Sequence, residues 1–184
     1  TVDNPPPLSS KQWVSLCRFW DKAGTKDGGA YTVGFLMGRW RPAGGAKDGA
    51  DDEWWILGIE REQFDSAERE RLIVSTANRD GKRVTIGIEQ EPGSGGKESA
   101  QASVKRLAGY RVRIVRAVGS KEDRADEWST MINAGNFKMA RADWNAILLD
   151  ELQNFPRSKY KDQVDSGAGA YTVLANPETM VGGV

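Results

Sequence analysis

The chain has 184 residues, and its 26 basic and 26 acidic side chains give a formal net charge of zero. This length predicts one sizeable domain. The chain has no histidine and one cysteine, which excludes Ser-His-Asp and Cys-His catalysis, histidine-based or cysteine-cluster zinc sites, and an internal disulfide. The composition still allows a site in which carboxylate oxygens bind a hard metal ion such as Mg²⁺. Stand-alone DNA-binding domains are usually basic, so either DNA is not the partner, or the basic patches are local and another domain contributes part of the binding.

The composition also bears on the compartment. No apolar run approaches the roughly 20 residues that a membrane span needs, and no leader pattern opens the chain. The single cysteine, Cys17, lies in an apolar run, which predicts a buried thiol in a reducing compartment. We therefore expect a protein that is neither secreted nor inserted in a membrane.

The start of the chain resembles a connection between domains. Residues 4–8 (NPPPL) predict a stiff, extended linker, with a proline-rich natural N-terminus as the alternative. We expect residues 1–10 to be a linker from an upstream domain, residues 11–176 to form the folded domain, and residues 177–184 to be a tail.

Three strands are predicted first, at residues 13–20, 30–40 and 53–61. Turns separate them and no helix intervenes, which predicts an antiparallel meander. A helix follows from Asp65 to about Asn78, because Asp65 is a good N-cap with Glu68 three residues later. Residues 83–91 predict a fourth strand, which residues 92–96 (PGSGG) break.

In the second half, helices and extended segments alternate. Helices are predicted at residues 99–108, 121–134, 143–154 and 162–174; extended segments are predicted at residues 110–118 and, briefly, 137–140. The whole order predicts an α/β fold with a mixed central sheet, in which an antiparallel meander of three strands is joined by two further strands and flanked by helices on both sides.

Acidic residues stand at the ends of three of these elements. Asp21 closes the first strand, Glu89 and Glu91 close the fourth, and Asp162 and Asp165 open the last helix. If the first and fourth strands are neighbours, their carboxylates come close, and a divalent cation would relieve the repulsion. The alternative is a structural role, such as helix capping by Asp162. Spacing alone leaves both interpretations open.

Several short motifs carry a family resemblance. They are residues 19–21 (FWD), 29–32 (GAYT), 86–97 (IGIEQEPGSGGK), 144–145 (WN), 151–156 (ELQNFP) and 161–165 (KDQVD). In this order, over residues 13–175, the chain resembles the C-terminal nuclease domain of the large terminase subunit of tailed bacteriophages.

The resemblance implies an RNase H-like fold and a metal-dependent endonuclease that cuts double-stranded DNA during viral genome packaging. The catalytic acids would be Asp21, Glu89 and Asp162. Together with Asp165, and with Glu91 as a further candidate, they would bind Mg²⁺ or Mn²⁺, with two ions expected. Family members often have two adjacent acids where this chain has Lys161 and Asp162, so one potential ligand is missing.

The resemblance also implies partners and a location. Besides double-stranded DNA, these are an N-terminal packaging ATPase domain in the full protein, the portal and the small terminase subunit. The expected location is the cytoplasm of the infected bacterium. Phosphate-contacting candidates are basic residues near the acids in sequence, with a solvated surface as the alternative; they are Lys97, Lys121, Arg124, Lys138, Arg141, Lys159 and Lys161.

The glycine-rich run at residues 93–97 is not a Walker phosphate loop. Glu91 stands where that pattern requires its first glycine, and Glu98 follows the lysine. We interpret the run as a flexible loop beside the active site. Two rival functions stay open: another RNase H-like nuclease, such as a junction resolvase or a transposase core, and a docking module that has the fold without activity.

Overall fold

A computed structural model describes residues 1–23, 29–116 and 121–176, and of residues 121 and 122 only the backbone. Its strands are β1 (Trp13–Asp21), β2 (Thr32–Trp40), β3 (Glu53–Glu62), β4 (Thr85–Gln90), β5 (Val112–Arg116) and β6 (Phe137–Met139). Its helices are α1 (Ser66–Asp80), α2 (Ser94–Arg106), α3 (Lys121–Asn133), α4 (Asn145–Asn154) and α5 (Asp162–Ala175). The predicted tail, residues 177–184, lies outside the described residues.

The strands form one mixed sheet in the order β5-β4-β1-β2-β3-β6. β1, β2 and β3 pair antiparallel, which confirms the predicted meander. β4 joins β1 in parallel, and β5 joins β4 in parallel. The short segment predicted as extended is β6, a sixth strand parallel to β3. The sheet is therefore one strand wider than the five-stranded sheet expected from the sequence.

Helices cover both faces of the sheet, as predicted. One face packs against α3, α4 and α5 in a cluster that includes Phe19, Phe35 and Trp128. The other packs against α1 and α2 in a cluster that includes Trp20 and Ile88. The alternation of side chains along β1 sends successive residues to opposite faces, so both clusters draw on the same strand.

Helix α5 lies unusually close to its neighbours because it is rich in small residues. A Cβ atom on Gly169 would lie 2.3 Å from Cε1 of Phe19 in β1. A Cβ atom on Gly167 would lie 2.3 Å from Cη2 of Trp128 in α3. Both contacts are closer than real carbon atoms allow, so glycine at these positions permits α5 to reach the sheet.

The start of α2 corrects one prediction. The run at residues 93–97, interpreted as a flexible loop, is the first turn of this helix, which begins at Ser94 rather than at residue 99. Gly93 has a φ of 93°, and its carbonyl accepts a hydrogen bond of 3.3 Å from Lys97 N. A Cβ on Gly96 would lie 2.2 Å from the Glu91 carbonyl oxygen. Glycine here serves close packing of the helix start, although its helix propensity is low.

The first residues of the chain lie against the fold. Val2 pairs in parallel with Ala140, just after β6, and its backbone N donates a hydrogen bond of 2.8 Å to the carbonyl of Met139. The Pro7 carbonyl accepts a hydrogen bond from Nε1 of Trp13 at 3.0 Å. Packing and hydrogen bonds thus fix part of the segment that was expected to be a linker.

Two local predictions are confirmed. Asp65 Oδ1 accepts hydrogen bonds from the backbone of Ala67 and Glu68, and Glu68 Oε2 accepts one from Asp65 N, so a capping box starts α1. Cys17 is fully buried, and burial raises the pKa of its thiol to about 12. Its thiol is therefore protonated and unreactive at neutral pH.

Within the described residues, no helix is long and apolar enough to span a bilayer.

Candidate active site

The parallel pairing of β1 with β4 places two of the predicted acids side by side. The last paired residues of these strands are Trp20 and Ile88, which both pack under α1 and α2. Asp21 and Glu89 follow them directly, on strands spaced about 4.8 Å apart. Because side chains alternate along a strand, both acids emerge on the opposite face, which α5 covers.

Helix α5 brings a third acid to the same edge of the sheet. Oδ2 of Asp162 accepts a hydrogen bond of 3.0 Å from the backbone N of Tyr31, just before β2. One turn later, Ser166 Oγ is 3.2 Å from the carbonyl oxygen of Val33, the cross-strand partner of Asp21. The first turn of α5 therefore lies over the end of β1.

A buried glutamate on α4 holds this first turn in place. Oε1 of Glu151 accepts a hydrogen bond of 2.8 Å from Val164 N, and Oε2 accepts one of 2.9 Å from Nε2 of Gln163. Burial raises the pKa of Glu151, although both hydrogen bonds favour its ionised form. Asp162 and Asp165 are also buried, with exposed fractions of 8% and 2%. The sequence did not indicate this role for Glu151.

A cleft of about 210 Å³ opens beside these acids. It is lined by Asp21, Lys22, Arg69, Glu89, Glu91, Gly95, Gly96 and Ser99. Three of the predicted acids thus share one cavity, and the corrected start of α2 forms part of its wall. Two cations in this lining, Lys22 and Arg69, were not singled out from the sequence. The proximity of Lys22 to Asp21 in the chain was the one available signal.

Lys22 connects the end of β1 to α2. Its Nζ donates hydrogen bonds of 2.8 Å to Ser99 Oγ and 3.1 Å to Ser103 Oγ, and lies 3.6 Å from Oε1 of Glu70 in α1. Burial lowers the pKa of Lys22, and the nearby Glu70 carboxylate opposes that shift. Because Lys22 directly follows Asp21, these contacts also fix the position of the acid.

Arg124 reaches the carboxylates from α3. Its Nη2 lies 3.3 Å from Oε1 of Glu89, and the two side chains have exposed fractions of only 17% and 12%. The sequence analysis named Arg124 as a phosphate contact, and in the structure it is paired with Glu89, one of the predicted acids. A guanidinium at this position neutralises part of the negative charge that a cation would otherwise balance.

The acids form a donor set that suits a hard divalent cation, because all their ligand atoms are carboxylate oxygens. Their arrangement shows no formed metal cage: within the part of the chain that the structure describes, no group of three or more histidine, cysteine or acidic side chains is close enough to hold an ion. Tyr31 N–H and the Arg124 guanidinium instead contact oxygens of Asp162 and Glu89.

The predicted phosphate contacts divide into groups. Lys97 is exposed on the first turn of α2, whose neighbouring residues line the cleft. Lys161 precedes Asp162 as the N-cap of α5, and exposed Lys159 lies with its Nζ 5.0 Å from the Tyr160 ring centroid. The side chain of Lys121 lies outside the described residues.

Two further basic residues are not brought to the acids. Lys138 is on β6, three strands from β1, and its Nζ forms an ion pair of 2.6 Å with Oε1 of Glu53. Arg141, just beyond β6, forms an exposed ion pair with Asp3. Their proximity to other site residues in sequence does not become proximity in space.

Comparison with known proteins assigns the family. The family model described as Terminase RNaseH-like domain matches residues 18–172. The chain belongs to this family. The match extends from β1 into α5 and so includes all five acids predicted from the sequence. No curated protein sequence matches this terminase domain.

Solved structures agree with the fold of this terminase domain. The large terminase nuclease from thermophilic phage G20c with bound zinc superposes with a TM-score of 0.60 at 19% identity, covering 87% of this chain and 81% of that chain. A second structure of that nuclease gives 0.58 at 16% identity, with 87% and 82% covered. Fowlpox virus resolvase, in complex with Holliday junction DNA, gives 0.51 at 11% identity, with 89% and 99% covered. The predicted RNase H-like fold is confirmed.

Proposed function

We propose that this terminase domain is a divalent-metal-dependent endonuclease that hydrolyses phosphodiesters of double-stranded DNA during viral genome packaging. The observation that carries the proposal is the convergence of acids from three distant segments at one sheet edge. Asp21 and Glu89 follow paired positions of β1 and β4, and Asp162 is tied to the start of β2. Such clustering of carboxylates costs folding energy unless water or a cation stabilises it.

The carboxylates would hold the cations, and the cationic side chains would act on the DNA. Asp21, Glu89, Asp162 and Asp165 are the proposed ligands, with Glu91 as a further one. Bound Mg²⁺ or Mn²⁺ would supply an activated water and stabilise the attacking and leaving oxygens. Lys22 and Arg69 add fixed positive charge to the same cleft, where it would attract a phosphate.

The proposed setting follows from the family. The full protein would carry an upstream packaging ATPase domain joined through residues 1–10, with a nuclease domain at residues 11–176 and a tail at residues 177–184. Its partners would be double-stranded DNA, the portal and the small terminase subunit, in the cytoplasm of the infected bacterium. Lys97, Lys121, Lys159 and Lys161 are the proposed contacts to DNA phosphates near the site; Lys138 and Arg141 would need a duplex that extends to β6.

The decisive experiment is Asp21→Asn, assayed for cleavage of plasmid and linear duplex DNA with Mn²⁺. We expect cleavage to be lost while the thermal unfolding midpoint stays within a few degrees of the wild type. Asp143→Asn, which removes the same charge from an exposed position, should cleave normally. An active Asp21→Asn protein would refute the site.

Two alternatives are decided by the same preparation. A four-way junction cleaved much faster than linear duplex would favour a resolvase, because one fold neighbour is a viral resolvase bound to Holliday junction DNA. A domain that binds no Mn²⁺ by calorimetry would instead be a docking module without activity.

A further inference from the structure

A second cavity lies at the opposite end of the strands from the acids. It has a volume of about 280 Å³ and is bordered by the start of β1, the end of β2, the residues that open β4 and β5, and the end of α5. Four arginines line it, and we call it the arginine pocket: Arg39, Arg83, Arg111 and Arg113, with Ser15 and Thr85 between them.

Strand register places the polar floor of this pocket on the face that α5 covers. Ser15 pairs with Arg39, Thr85 pairs with the buried Cys17, and Arg113 pairs with Gly87. The pocket begins where the last residues of α5 end, at Val173 and Leu174. Ser15 and Asp21 are six positions apart in β1, a distance of roughly 20 Å along an extended strand. A group bound here is therefore remote from the catalytic acids.

The charge of the pocket is unbalanced. No acidic side chain is among its lining residues. Arg39 is paired with Asp52 at 2.6 Å, but within the described part of the chain Arg83 and Arg111 donate only to backbone carbonyls. Arg113 is half-buried, and across the described ranges it forms no hydrogen bond or ion pair. Three of the four arginines that line this cavity thus have no acidic partner among the described residues, in a chain whose net charge is zero.

This chemistry selects a phosphate group. Guanidinium groups bind phosphate oxygens through paired N–H donors, and serine and threonine hydroxyls commonly donate to the same oxygens. A concave site lined by one sign of charge also concentrates its field. We propose that the arginine pocket binds a phosphate group, most simply one of the DNA backbone, at a distance from the bond that is cut. Only the source of the phosphate rests on the proposed function.

The test compares the double variant Arg111→Ala/Arg113→Ala with wild type in the full chain. Binding of a fluorescein-labelled DNA duplex is followed by anisotropy in EDTA over a series of salt concentrations, so no cleavage is needed. We expect binding at low salt to weaken about tenfold and the magnitude of the slope of log K against log salt to fall by about one, because the pocket is proposed to hold a single phosphate and each lost phosphate contact contributes about one.

The matched control is Arg71→Ala/Arg79→Ala, which removes the same charge from α1 on the other side of the sheet. It should change binding and slope much less. Arg111→Lys/Arg113→Lys, which keeps charge without the planar fork, should give an intermediate loss and guards against misfolding in the alanine variant. Equal effects of the pocket and control variants on DNA binding would exclude the DNA backbone as the source of the phosphate. If the two variants also bound pyrophosphate equally well, the proposal would be overturned.

Inorganic pyrophosphate, titrated by calorimetry, distinguishes the sources of the phosphate. Pyrophosphate binding that the pocket variant loses, with unchanged DNA affinity, would support the site and assign it to a free phosphate compound. If the pocket bound neither pyrophosphate nor DNA but bound a glutamate-rich peptide, the phosphate-binding proposal would be overturned, and the pocket would be assigned to a protein partner. Cleavage with Mn²⁺ is measured separately, so a failed pocket and a failed active site give different results.

Discussion

The backbone N–H of Tyr31 donates a hydrogen bond of 3.0 Å to Oδ2 of Asp162, across 131 positions of sequence. This single contact ties the first turn of α5 to the start of β2, beside the end of β1. Asp162 thus has two separable properties: it accepts a hydrogen bond that supports the fold, and it contributes negative charge to the proposed metal site.

Two substitutions separate these properties. Asp162→Asn keeps an oxygen acceptor for Tyr31 but removes the charge, so we expect Mn²⁺-dependent cleavage to fall by about 100-fold or more with little loss of stability. Asp162→Ala also leaves the partly buried N–H of Tyr31 without this acceptor, so we expect its free energy of unfolding to fall by about 1–2 kcal/mol. Cleavage assays and urea unfolding measure the two effects. Normal cleavage by Asp162→Asn would remove this residue from the site.

Arg124 contacts Oε1 of Glu89, an oxygen that is also a ligand atom of the proposed metal site. If the ion pair is released when metal binds, Arg124→Met should bind Mn²⁺ up to about fivefold more tightly, equivalent to the ~1 kcal/mol of a partly exposed ion pair. Calorimetry measures this directly, and Arg71→Met, an exposed arginine on α1, is the control. Unchanged or weaker Mn²⁺ binding by Arg124→Met would show that the two do not compete.

A buried ion pair stabilises the other face of the sheet. Nε and Nη2 of Arg18 donate hydrogen bonds of 2.8 Å and 3.0 Å to the two carboxylate oxygens of Asp80, at the end of α1. Asp80→Ala should lower the free energy of unfolding by about 3–5 kcal/mol, because it leaves a buried guanidinium unpaired. Asp3→Ala breaks the exposed pair with Arg141 and should cost less than about 1 kcal/mol. Similar losses in urea unfolding would contradict this difference.

Glu151 should make stability depend on pH. Burial raises its pKa in the folded state above the ordinary value, so the folded chain binds this proton more tightly than the unfolded chain does. Its contribution is therefore fully present below the unfolded pKa and is lost as pH rises through the folded pKa. Compared with Glu151→Gln, the free energy of unfolding of the wild type should decrease as pH rises from the unfolded to the folded pKa of Glu151, and should then stay constant.

The glutamine variant is expected to fold. Oε1 of Gln163 has no hydrogen-bond partner among the described residues, so it can accept from the new amide when the side chain of Gln163 turns. Urea unfolding at a series of pH values measures the effect, with Glu98→Gln, at an exposed position of α2, as the control. Parallel pH curves for wild type and Glu151→Gln would show that burial does not perturb this carboxyl.

Local signals predicted most elements but not how they meet. The Asp65 and Glu68 pattern predicted the start of α1 because a capping box is formed by adjacent residues. The sequence analysis could only assume that β1 and β4 are neighbours in the sheet, because strand order depends on packing between distant segments. The start of α2 was misplaced because a glycine-rich turn has low helix propensity, and the close approach of Gly96 to Glu91 cannot be read from sequence.

The same limit applied to the site. The sequence showed acids at strand ends and at a helix start. Because carboxylates at such positions are unfavourable without water or a cation, these acids could be identified as candidate site residues. The contacts of Lys22 with Ser99 and of Arg124 with Glu89 join separate elements and left no pattern along the chain. Sequence proximity also did not indicate that Lys138 lies on β6, an edge strand three strands from β1.

The pairing of Val2 with Ala140 has a consequence for the behaviour of the protein at high concentration. A bare outer strand offers a template on which a second molecule can add, and repeated addition leads to aggregates. Here the N-terminal residues occupy hydrogen-bonding groups next to β6, while the strand at the other border, β5, carries Arg113 and Arg116. Both borders of the sheet are thereby made poor templates, one by a covering segment and the other by like charges.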